Sequence, residues 1–222
     1  DILLTVDAAR LEKGSQLDLF QSIFSKSLND KIPINYRCPY GKWYGLSLRA
    51  RVMVYNKDLV NESELKGYYD LSNEKWKESI LIRSSNNIYN QSLISAMIFN
   101  YGKYDTNKFL ISFVQNFARK PSGGDRDQIR ALAAGEGKIA IVNSYYYIKM
   151  LNDKNNKYLK NTNIYFPKDN KMATHVNISG AGILKNSRNK ENAIKFLEFL
   201  VTKEAQNIYS EVNYEYPIVI ST

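Results

Sequence analysis

The chain has 222 residues, 44% of them apolar and 13% aromatic; this excludes intrinsic disorder and allows one large domain or two small lobes, each with a real core. Its formal charge of +9 is not blocked, because Lys and Arg interleave with Asp and Glu through residues 57–77 and 185–203, the pattern of solvated helix faces rather than a nucleic-acid footprint. One cysteine, Cys38, and one histidine, His175, exclude an internal disulfide and a multi-histidine metal site, and leave no credible Ser/His/Asp or Cys/His catalytic set.

Residues 1–7 read as a buried strand with no cap, loop or helix before it, so the expectation is a chain that begins inside a longer protein. Asp7 is placed to cap the short helical turn at 8–11, and 17–27 reads as a second helix or an irregular segment. Pro33, Pro39 and Gly41 mark a loop, after which 43–55 is a strand long enough to cross between lobes. A short strand at 80–82 leads to Ser84, Ser85 and Asn86, where a helix N-cap is expected. The helix beyond carries Tyr89, Leu93, Ile94, Met97 and Ile98 at three- and four-residue spacing, which predicts one apolar face.

Helices are predicted at 107–118 and 127–135, separated by a loop whose Gly123, Gly124 and Asp125 read only as a turn, since the lysine of a phosphate-binding loop is absent. A strand at 139–142 runs into the tyrosines, a helix follows at 147–151, and 152–163 reads as polar and solvent-facing. Strands at 164–167 and 176–183, the latter glycine-bearing and a candidate second crossover, precede helices at 190–201 and 203–209. His175 reads as a hydrogen-bonding residue at a strand end. The alternation defines an α/β architecture. No run approaches the roughly 18 apolar residues of a membrane helix, so no stable membrane insertion is expected.

The most informative stretch is Tyr145, Tyr146 and Tyr147, which ends the apolar run 139–142. In an extended segment successive side chains point to opposite faces, so adjacent phenols meet one ion only where the backbone turns, and Asn143 and Ser144 supply that turn. Packing is the competing reading, because Tyr is abundant at 17 residues.

Residues 6–8, 43–51, 83–92, 140–146, 175–182 and 189–193, together with the late Glu215, Tyr216 and Pro217, resemble the periplasmic ferric-iron-binding proteins of ABC transporters, most closely the cyanobacterial-type branch. The resemblance covers essentially the whole chain. It implies a two-lobed type II periplasmic-binding-protein fold with the N-terminal part of the first lobe absent: residues 1–53 form the incomplete first lobe and first crossover strand, 54–173 the second lobe, and 174–222 the return crossover and first-lobe completion. It implies no enzyme but a substrate-binding protein, periplasmic or on the outer face of the cytoplasmic membrane, that delivers Fe(III) to a membrane permease. Tyr89, Tyr145 and Tyr146 are the implied ligands in the interlobe cleft, with a further ligand from the segment that family members carry earlier. Tyr147 is expected to pack or hydrogen-bond, and Arg49, Lys149, Ser84 and Ser85 to support the site.

Phenolates suit that cargo. Fe(III) is a hard cation that prefers oxygen donors, and deprotonating a phenol at neutral pH costs about 4 kcal/mol, which a trivalent ion offsets. Three phenolates neutralise Fe(III), while carbonate, citrate or water fills open positions. Two readings stay open beside it: a same-fold binding protein for a small organic anion or polyamine, and the ligand-sensing domain of a transcription regulator.

Overall fold

The computed structural model describes residues 1–219. The chain divides into two compact units, Asp1–Arg49 with Asn177–Thr222, and Ala50–Val176. The sequence-based third region, 174–222, has its last three residues outside the described ones.

In the first unit, β1 (Ile2–Val6) pairs antiparallel with β6 (Val176–Ile183), which neighbours β2 (Tyr44–Asn56); β7 (Tyr216–Pro217) pairs antiparallel with β2 at Ser47 and Leu48. β1 stands at the end of the strand order of the described residues, and Leu4 on it is 54% exposed where the sequence reading expects a buried strand. Asp7 does cap α1 (Ala8–Gln16), its Oδ1 accepting from Ala9 N at 3.0 Å, and the helix runs past the predicted turn. Residues 17–25 are irregular and lead to α2 (Lys26–Lys31). Leu11, Leu28, Tyr44, Leu46, Ile183 and Leu197 are core of this unit, the last on α7 (Lys190–Leu200), which α8 (Lys203–Glu211) follows.

Gly180 explains the glycine in β6. A methyl there would lie 2.5 Å from the Tyr44 carbonyl oxygen and 2.7 Å from Leu11 Cδ1, so the backbone packs where no side chain fits. Gly180→Ala is expected to destabilise the protein by about 1–3 kcal/mol, the usual cost of overpacking, read as a lower urea midpoint.

The second unit is a sheet covered on both faces. The C-terminal part of β2 pairs antiparallel with β4 (Ile139–Asn143) and with β5 (Thr162–Tyr165), and β4 pairs in parallel with β3 (Ile80–Leu81). Alternation along each strand sorts the side chains: Met53, Tyr55, Ile80, Ile139 and Ile141 join one core, and Val52, Val54, Leu81, Ala140 and Val142 the other. The strands therefore read as unbroken apolar runs because both faces are buried.

The first core is closed by α3 (Ile88–Tyr101) and α4 (Lys103–Gln115) through Leu93, Met97, Phe109 and Phe113; the second by α5 (Asp125–Ala133) and α6 (Ser144–Leu151) through Ile129, Leu132, Tyr147 and Met150. Ile98, expected on the apolar face of α3, is 42% exposed; the buried stripe there is Leu93 and Met97. The polar stretch 152–163 is also less uniform than expected, since Leu159 within it is fully buried. Among the described residues no helix is long and apolar enough to cross a membrane.

Candidate functional site

Two neighbouring parallel strands deliver the tyrosines. β3 and β4 are in register at Ile80 with Ile139 and Leu81 with Ala140, so their C-terminal ends lie on the same edge of the sheet. From that edge each strand feeds a helix, α3 after a short loop and α6 directly. Tyr89 is the second residue of α3, and Tyr145 and Tyr146 are the second and third of α6. Carboxyl ends of parallel strands are where ligand sites of open α/β sheets gather, and the free N–H groups of a first helical turn favour negative charge.

This placement corrects two expectations. The tyrosine pair stands not at a turn but within the first turn of α6, with Asn143 at the N-cap position. Although consecutive side chains diverge on a helix, the two rings meet, with centroids 4.1 Å apart and planes inclined by 36°. The cap of α3 is Asn87 rather than Ser84 to Asn86: its side chain accepts from Tyr89 N at 3.0 Å. Ser84 Oγ instead accepts from Asn86 N at 3.2 Å, and the Ser84 and Ser85 carbonyls accept from the side chains of Asn90 and Gln91, each at 3.2 Å.

The three phenols are within hydrogen-bonding reach, Tyr145 with both Tyr146 and Tyr89. Burial, reinforced by the phenols of Tyr146 and Tyr89, pushes Tyr145 far above the ordinary phenol range. Burial also raises Tyr146, while its hydrogen bond with Tyr145 acts the other way. Without a cation these two are therefore neutral phenols at pH 7. Two guanidinium groups flank the set, Arg83 at 5.5 Å from the centre of the Tyr89 ring and Arg126 at 5.2 Å from that of Tyr146. Tyr147 turns into the core, 1% exposed, with its hydroxyl 3.1 Å from Thr162 Oγ1.

The other expected residues are spread differently. Lys149 is exposed on α6, one turn past the pair, with no hydrogen bond or ion pair among the described residues. Arg49 belongs to the first unit, where its Nη2 donates to the Ile178 carbonyl at 2.7 Å. His175 makes backbone hydrogen bonds, its N donating to the Tyr68 hydroxyl at 3.0 Å and its carbonyl accepting from Arg51 N at 2.8 Å.

Sequence reasoning missed a buried network that fixes both tyrosine-bearing helices. Asp125, expected to be part of a mere turn, is the first residue of α5 and 2% exposed. It accepts from Arg51 Nη1 at 2.7 Å, from Arg83 Nη1 at 3.3 Å and from the backbone N of Asn143 at 2.7 Å. Arg51 Nη2 donates to Asn90 Oδ1 at 2.7 Å, and Asn90 Nδ2 donates to the Arg83 carbonyl at 2.7 Å. Asn143 faces Arg51 in the strand register and accepts from it at 3.3 Å. One carboxylate thus ties β2 to the N-cap of α6, and Arg51 continues the tie to α3. Two guanidinium groups face one carboxylate, whose charge is felt at Tyr146 and acts to raise its pKa. The legible signal was Arg51 itself, a charge within an apolar strand, since such residues are almost never buried unless paired.

The donor set is all oxygen. Among the described residues no group of three or more His, Cys, Asp or Glu is placed to hold a metal, so a cation here would meet phenols, which are hard donors.

A two-unit α/β protein with a phenol cluster at the carboxyl ends of parallel strands is a binding protein in its architecture, and relatives agree. The chain belongs to the bacterial extracellular solute-binding protein family, whose model matches residues 1–221. It is 45% identical over 224 residues to iron uptake protein A2 of Synechocystis, covering 99% of this chain and 65% of that protein. It is 41% identical over 222 residues to iron uptake protein A1 of the same organism, covering 99% and 62%. The Trichodesmium IdiA (FutA) structure in complex with iron and citrate superposes with a TM-score of 0.94 at 49% identity, covering all of this chain and 71% of that one. The chain thus spans somewhat less than two thirds of the curated relatives' length, and its fold is that of the type II periplasmic binding proteins.

Proposed function

We propose that this chain is the substrate-binding component of an iron uptake system, taking Fe(III) as cargo through the phenolates of Tyr89, Tyr145 and Tyr146 and passing it to the permease of an ABC transporter. The observation that carries the reading is the mutual approach of these three phenols at the starts of α3 and α6. It is supported by relatives named for iron uptake and by a neighbour that holds iron with citrate. Neither an organic anion or polyamine nor a regulator's effector is favoured by those names. The protein acts outside the cytoplasmic membrane, in the periplasm or on the membrane's outer face, in keeping with an extracellular solute-binding family.

The guanidinium groups over the Tyr89 and Tyr146 rings and the two helix starts would favour phenolate charge, with the Asp125 carboxylate acting against it at Tyr146. A small anion such as carbonate or citrate, or water, completes the coordination. Titration of the iron-free protein with ferric citrate should develop a saturable phenolate-to-iron absorption band at one equivalent; a colourless titration would remove the reading.

Acidity should oppose uptake. Tyr145 and Tyr146 hold their protons more tightly than ordinary phenols, so each must surrender one as iron enters, and protons compete as pH falls. Apparent affinity is expected to drop by about tenfold per pH unit for each phenol deprotonated, and proton release on binding, measured in a weakly buffered pH-stat, gives the number directly.

A further inference from the structure

Between α3, α4 and the sheet, the second unit holds a cavity of about 340 Å³. That is within the roughly 300–1,000 Å³ of small-molecule sites and about twice the roughly 150 Å³ of an apolar cavity that stays dry and takes benzene. Its walls are hydrocarbon: Leu93 and Met97 from α3, Phe113 from α4, Phe117 just beyond that helix, and Ile141 from β4. The aromatic side is ordered, with Phe113 stacked on Phe109 at 4.7 Å and meeting Phe117 edge-on at 5.0 Å.

The polar part of the lining has one sign. No Asp or Glu contributes to it, whereas Arg83, Ser84, Ser85 and Lys120 do. Arg83 is committed to Asp125. Lys120 is exposed and makes no ion pair or hydrogen bond among the described residues. An apolar chamber with an uncommitted ammonium at its rim fits a molecule with a hydrocarbon body and an anionic end.

We propose that this cavity is a second binding site, taking a small amphiphilic monocarboxylate with its hydrocarbon among Leu93, Met97 and Phe113 and its carboxylate at Lys120 Nζ. Burial of apolar surface drives entry. The ammonium selects acid over alcohol. Tyr89, Tyr145 and Tyr146 do not line the cavity, although Arg83 and Asn90, which brace the tyrosine-bearing helices, do, so the site is tested in the absence of iron.

The test uses iron-free protein, octanoate as probe and octan-1-ol as its uncharged counterpart, read by thermal unfolding and by methyl NMR. Octanoate should raise the melting temperature saturably and shift the methyl signals of Leu93 and Met97. Lys120→Ala should weaken octanoate about two- to fivefold and leave octan-1-ol unchanged. Val114 lines the cavity yet is 47% exposed, so Val114→Trp obstructs it without loading the core and should weaken both probes about tenfold or more; Met97→Trp, which fills the centre, is the second obstruction. No saturable shift with octanoate, or unchanged binding in a folded Val114→Trp variant, overturns the site. Equal loss or equal retention of the two probes in Lys120→Ala overturns the carboxylate assignment.

Discussion

Tyr145→Phe is expected to abolish the visible band that forms when ferric citrate is added, and Tyr146→Phe to do the same. Each change removes one hydroxyl and leaves the ring, so the 4.1 Å ring contact and the fold persist. What is lost, on the proposed function, is a donor to the metal. Changing residues that merely support ligands costs about 10- to 100-fold in metal affinity, so losing a ligand should cost more than about 100-fold. Tyr147→Phe is the control, because that hydroxyl faces Thr162 in the core, and its band should remain. An unchanged band in both Tyr145→Phe and Tyr146→Phe would take the pair out of the ligand set.

The second large effect concerns stability. Asp125 and Arg51 have side chains 0% and 1% exposed, at 2.7 Å from each other. Removing one partner of a buried pair strands the other charge in a poor solvent, which costs about 3–5 kcal/mol. Asp125→Ala should therefore lower the free energy of unfolding by about that amount in urea titrations. It also removes the acceptor for Asn143 N at the start of α6, so iron affinity should fall with stability. Arg83→Ala, on a side chain 21% exposed with a longer 3.3 Å contact, should cost distinctly less. A loss below about 1 kcal/mol for Asp125→Ala would mean that the pair is not structurally important.

Much of this was readable in the sequence. The strand 176–183 and the long strand after Trp43 emerge at those positions, the first marked by its glycines and the second by its length and its β-branched and aromatic residues. The tyrosine candidates were legible as a motif. Their relation to one another was not, since it depends on β3 and β4 lying side by side, and pairing between segments some sixty residues apart leaves no local trace. Caps were misplaced for a similar reason: Ser84, Ser85, Asn86 and Asn87 are all competent cap residues, and only the packing of α3 selects Asn87. Asp125 was hidden by its glycine neighbours, which signal a turn in any context.

The common origin of α3 and α6 on adjacent strands has one more consequence. Strands in a sheet keep a spacing of about 4.8 Å, and the Asp125–Arg51–Asn90 network ties the starts of α6 and α3 to them, so the separation of the two tyrosine-bearing turns is settled during folding rather than on meeting an ion. A chelate with a fixed bite discriminates by ionic radius. Small trivalent ions, redox-inert gallium among them, should seat on these oxygens, whereas a large lanthanide of equal charge would force apart two turns that hydrogen-bonded strands hold in place.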